Sequence, residues 1–166
     1  MLAKALKIWL VMTVLMLLEG GFPGNWWRPD FGLLFLVPWA LRSGARLGAV
    51  LGFGIGITLA ILSGSVVGVY GGVYGVVGFA LGWWGEREVP GFFVGMLGMV
   101  FAVAAVEVML MALARLIPWP LTPSLPVLHS WLLPTLAVNV ALLWPADKLV
   151  VALRGAEPYR NRSWRI

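Results

Sequence analysis

Long stretches without a charged side chain set the frame, among them Leu47 to Leu62, Val66 to Trp84, and Phe92 to Val106. Each is about as long as the roughly 20 residues that carry an α-helix through a hydrocarbon core of about 30 Å. Shorter or interrupted apolar runs flank them, near the start of the chain and at Phe31–Leu41 and Trp131–Leu153. Hydrophobic residues make up 61% of the chain and charged residues 11%. A soluble domain carries roughly 25% charged residues, so an interior of this size has no room for so much apolar surface. The pattern predicts an all-α integral membrane protein.

Six runs follow from the chain order. The first, opened by Lys4 and Lys7, extends to Leu18. It lacks a small-residue cleavage site, since Glu19-Gly20-Gly21-Phe22 follows, so it reads as a membrane helix and not a signal peptide. The second, Phe31–Leu41, has eleven residues and covers only about 17 Å. It has to be tilted, extended through Trp26-Trp27, or met by a thinned bilayer. The fifth runs from Phe92 to Ile117. The proline-rich "PWPLTPSLPVLHS" that follows predicts a loop, and the sixth run then begins at Trp131.

The charges decide whether the short run crosses. With six crossings and the N-terminus inside, the cytoplasmic side holds Lys4, Lys7, Arg42, Arg46, Arg87, Lys148, Arg154, Arg160, Arg162 and Arg165, and the outer side holds Arg28 and Arg115. This is the asymmetry of the positive-inside rule. It predicts one six-helix domain over residues 1–153, a basic cytoplasmic tail over 154–166, and both termini inside. The net charge of +5 therefore belongs to topology and does not point to nucleic acid.

The turn Arg28-Pro29-Asp30 raises two readings. As a plain helix start, Pro29 suits the first turn, Asp30 complements the helix dipole, and Arg28 snorkels to headgroups beside Trp26 and Trp27. As an anchoring site, Arg28 pairs with Asp30, Glu19 or an acidic partner.

Sixteen of the 21 glycines lie between Gly44 and Gly98, many at four-residue spacing: Gly48-Gly52-Gly56, Gly64-Gly68-Gly72, Gly71-Gly75, Gly78-Gly82. That spacing puts them on one helix face, where close packing drives association in lipid. The third and fourth helices are predicted to pack tightly, within the protein or against a partner.

Few polar groups interrupt the runs. Glu107 and Asn139 both fall in the outer half of the bilayer, level with Thr58 and Ser63, and predict a polar layer there. A carboxylate in lipid needs a partner or a proton, so Glu107 is either a packing element or a relay or ligand contact. With no cysteine and one histidine, His129, the chain offers no metal cluster. No P-loop or paired carboxylates appear, and "SGS" with a lone histidine is a poor protease site. No cofactor and no catalytic residues are expected.

The stretch "RPDFGLLFLVPWALRSGARLGAVLGFGIGITLAILSGSVVGVYGGVYGVVGFALG" resembles the signature region of the rod shape-determining protein MreD family. Gly52-Phe53, Gly56, Ser63-Gly64-Ser65 and Gly68 match its pattern. Glu107 fits the acidic position of the fifth helix, and Asn139 with Trp144-Pro145 fits the last. The resemblance spans about residues 26–150. One position departs: Ala60 stands where the family usually has Asp. The resemblance implies a non-enzymatic inner-membrane component of the cell-elongation machinery that binds MreC and, through it, MreB, RodA and a class B penicillin-binding protein. It also implies a fold like the substrate-binding component of energy-coupling-factor transporters. Under it, the candidate partner or polar-core residues are Arg28, Pro29, Asp30, Gly52, Gly56, Ser63, Gly64, Gly68, Glu107 and Asn139, with lipid as a further contact. The competing function is capture of a vitamin-like small molecule. Transporter components of that kind dock through an Ala-x-x-x-Ala pattern in the first helix, which "LKIWLVMTVLMLL" lacks.

Overall fold

The structure is a computed structural model. It describes residues 29–87, 92–116 and 125–154, with four helical positions before them, Leu10, Thr13, Val14 and Leu17. Most of the first apolar run, Arg28, and the C-terminal tail therefore lie outside the described residues. The second to sixth runs form α1 (Phe31–Ser43), α2 (Ala45–Ser63), α3 (Val67–Gly85), α4 (Phe92–Leu116) and α5 (Leu125–Arg154). Five helices are thus described, all α, against the six expected. Four of them, α2 to α5, contain stretches long and apolar enough to cross a membrane. Their outward faces are apolar, with Val50 67%, Phe93 71% and Val108 60% exposed. That surface suits lipid and not water.

The short run is the centre of the bundle. Nine of the thirteen residues of α1 are buried, and it packs against α2, α3, α4 and α5. Leu33, Leu36 and Val37 meet Ile55, Leu81, Met99 and Leu143 in one core. Trp26 and Trp27, through which an extension was one of the alternatives, lie outside the described residues. Asp30 has extended dihedrals (φ −85°, ψ 91°) and stops the helix there as its N-cap. A helix of about 20 Å does not have to reach both surfaces when longer helices enclose it.

Glycine places the reversals. Gly44, at φ +87°, is the one residue between α1 and α2. Gly64, at φ +66°, ends α2, and the Ser65 N–H then donates to the Ala60 carbonyl at 2.8 Å. This is a Schellman-type stop, which needs a left-handed residue that only glycine adopts freely.

The antiparallel pair α2/α3 is the most extensive contact in the fold. A Cβ on Gly48 would strike the Gly78 carbonyl, on Gly52 the Tyr74 carbonyl, and on Gly56 the Tyr70 carbonyl. Each step of four along α2 moves four residues back along α3. Gly48 and Gly78 are reciprocal, each backing onto the other's carbonyl. Backbones this close exchange Cα–H···O contacts, worth about 0.5–1 kcal/mol each.

The proline-rich segment corrects the sequence reading. Instead of a loop to Ser130, α5 begins at Leu125 and takes in Pro126, His129 and Pro134. Pro126 sits in the first turn, where a missing N–H leaves no bond unmade.

Candidate functional site

At its N-terminal end, α1 starts inside the bundle. The space beside Gly32 is filled by Leu59 and Ile55 of α2. Leu59 lies one turn before the end of α2, so the start of α1 is about 6 Å below that end. Backbone N–H groups exposed at such a depth cost several kcal/mol each. Two side chains, Asp30 and Asn139, meet the need, and a third, Tyr74, holds the Asp30 carboxylate. Asp30 Oδ1 accepts from the Leu33 N–H at 2.8 Å, and its Oδ2 accepts from the Tyr74 hydroxyl at 2.7 Å. The Asp30 N–H itself donates to Asn139 Oδ1 of α5 at 3.0 Å. Asn139 is fully buried, and Pro29 beside the cap is buried too.

The Asn139 oxygen is fixed by this bond, because only the oxygen of an amide accepts. Its Nδ2 has no hydrogen-bond partner among the described residues. Glu107 of α4 is partly buried.

The structure brings Asp30 and Asn139 into contact and adds Tyr74, which sequence reasoning missed. A phenol seven residues into a glycine-rich span is the signal for it, since a buried hydroxyl seeks a partner. Thr58 and Ser63 stay outside the cluster. Thr58 donates to the Gly54 carbonyl at 2.9 Å and Ser63 to Ser65 Oγ at 2.9 Å, both local bonds. Gly52 and Gly56 are enclosed between α2 and α3, whereas Gly64 and Gly68 face open space, as does Gly72. Ala60, at the position of the departed Asp, is fully buried.

At the opposite end of the bundle, polar groups tie the helices together. Arg42 pairs with Asp147 of α5 at 2.6 Å and donates to the Pro38 carbonyl at 2.9 Å. Glu86, after α3, accepts from the Ala45 N–H at 2.9 Å and so caps α2 from a distance. Arg87 lies 3.4 Å from the centroid of the Trp83 ring. None of these pairings was predicted: Arg42–Asp147 joins different helices, and those of Glu86 and Arg87 depend on where α3 ends.

Polar contacts join α1, α3 and α5 at one end of the bundle, and tie α1 to α5 and α2 to the end of α3 at the other. Comparison with curated proteins and with solved structures finds no match. The family model of the rod shape-determining protein MreD matches residues 4–151. With four membrane-length helices around a short buried one, and this match over nearly its whole length, the chain belongs to the rod shape-determining MreD family.

Proposed function

We propose that the chain is the non-enzymatic membrane scaffold of the bacterial rod-shape complex that binds MreC. Through MreC it links to MreB, RodA and a class B penicillin-binding protein. In this reading the first run completes a six-helix domain over residues 1–153, in the inner membrane, with both termini and the 154–166 tail cytoplasmic. The fold is then of the kind found in the substrate-binding component of energy-coupling-factor transporters.

The observation that carries the reading is a division among the glycines. Gly48, Gly52 and Gly56 are consumed between α2 and α3, while a side chain at Gly64 or Gly68 would meet nothing within 4 Å. Four-residue spacing of small residues lets a second backbone approach. The open face of α3 in the outer half of the bundle is the docking surface for the MreC membrane helix. Arg28, Pro29 and Asp30 then hold the adjoining edge, with Asp30 setting the start of α1.

The test is co-purification in mild detergent with MreC. Gly68→Leu enters open space, so the variant folds, and its MreC capture falls at least about tenfold (about 1.4 kcal/mol). Gly52→Leu, by contrast, loses the folded protein. Wild-type MreC capture by well-folded Gly68→Leu would remove α3 as the docking face.

A further inference from the structure

The lipid-facing side of the α2/α3 pair carries a groove of about 470 Å³, lined by Ala49, Val50 and Phe53 of α2 and Gly72, Gly75 and Phe79 of α3. Its size falls in the range of small-ligand sites, about 300–1,000 Å³. Gly72 leaves open space at one end, and Phe53 and Phe79, each 50% exposed, stand as its walls.

Both walls end in a cation. On α2 the stripe Phe53, Val50 runs one turn further to Arg46, and on α3 the stripe Gly72, Val76, Phe79, Trp83 runs on to Arg87. Arg46 is exposed and is the second residue of α2, where the positive end of the helix dipole disfavours it unless an anion is near. The adjacent acid, Glu86, is engaged with the Ala45 N–H. Among the described residues the one ion pair is Arg42–Asp147, so neither Arg46 nor Arg87 has a carboxylate within 4.0 Å. The Arg87 guanidinium lies over the Trp83 ring. Trp83 is the aromatic type that marks headgroup level.

The lengths agree with a lipid. From Trp83 to Gly72 is eleven residues, about 17 Å. Half a hydrocarbon core is about 15 Å. In the cytoplasmic orientation proposed above, a protein partner brings basic flanks to this surface, which repel two arginines. A phosphate matches both the charges and the depth.

We propose that this groove binds an anionic phospholipid, with one acyl chain between Phe53 and Phe79 and the headgroup phosphate between Arg46 and Arg87. Its placement on the cytoplasmic side rests on the topology proposed above, but the binding itself does not.

Native mass spectrometry of the full chain tests it, with dioleoyl phosphatidylglycerol and dioleoyl phosphatidylcholine as the competing probes. The wild type retains phosphatidylglycerol in preference by roughly thirtyfold, as expected for two basic groups at an anionic surface. Arg46→Ala/Arg87→Ala loses that preference. Val76→Trp, at a position 54% exposed on the same groove, lowers retention of both lipids while the elution profile stays that of the wild type. Equal retention of the two lipids by the wild type overturns the proposal, as does a preference that survives the double substitution. If the double variant does not fold, unchanged retention in Val76→Trp overturns it alone. MreC is absent from the experiment, so its failure leaves the docking reading untouched.

Discussion

Asp30 and Asn139 stand 109 positions apart in the chain, and a 3.0 Å hydrogen bond joins the backbone of one to the side chain of the other. That bond holds the start of α1 against α5 at a depth where water cannot substitute for it.

Asn139→Ala removes the acceptor of a buried N–H and is expected to lower stability by about 1–3 kcal/mol. Asn139→Asp restores an acceptor but adds a second carboxylate beside Asp30, so it rescues little. Thermal unfolding in detergent measures both. Recovery of full stability in Asn139→Asp would contradict the carboxylate crowding.

Tyr74→Phe deletes one hydroxyl bond to Asp30 and leaves the ring in place. The expected loss is about 1 kcal/mol, smaller than for Asp30→Ala, which also leaves the Leu33 N–H without its cap. A double-substitution cycle between the two positions should show coupling, because they share a bond.

Gly48→Ala and Gly68→Ala differ by their surroundings and not their chemistry. The first puts a methyl into the Gly78 carbonyl and should cost about 1–3 kcal/mol or more. The second enters open space and gains helix propensity, worth up to about 1 kcal/mol. Denaturant or thermal midpoints of the two variants should move in opposite directions.

Glu86→Ala removes the carboxylate that caps α2 and should lower stability by about 1 kcal/mol, whereas Glu86→Gln keeps an acceptor oxygen and should lose less. The Arg42–Asp147 pair is partly exposed, at 19% and 33%, so a cycle on it should report no more than about 1 kcal/mol.

Much of the helical layout was legible because lipid imposes it. Apolar runs uninterrupted by charge mark α2 and α3 to within a few residues, and the run Phe92–Ile117, with Glu107 and Arg115 inside it, marks α4. The glycine spacing foretold the α2/α3 contact, though not which glycines stay open, since that depends on helix rotation. The burial of α1 was not legible. Its eleven-residue apolar run shows that it is short, but only its neighbours show that it is enclosed. Tyr74 escaped notice for the same reason, as hydroxyl pairing depends on three helices meeting. At α5, proline was read as a loop signal although its position in the first turn made it harmless.

Gly44 has a mechanical consequence. One residue joins α1 to α2, and Glu86 clamps α2 to the end of α3. With one residue at that joint, α1 and α2 have little freedom to reorient separately, and the Glu86 bond links the start of α2 to the end of α3, so a shift of α3 at that end bears on the enclosed α1 as well.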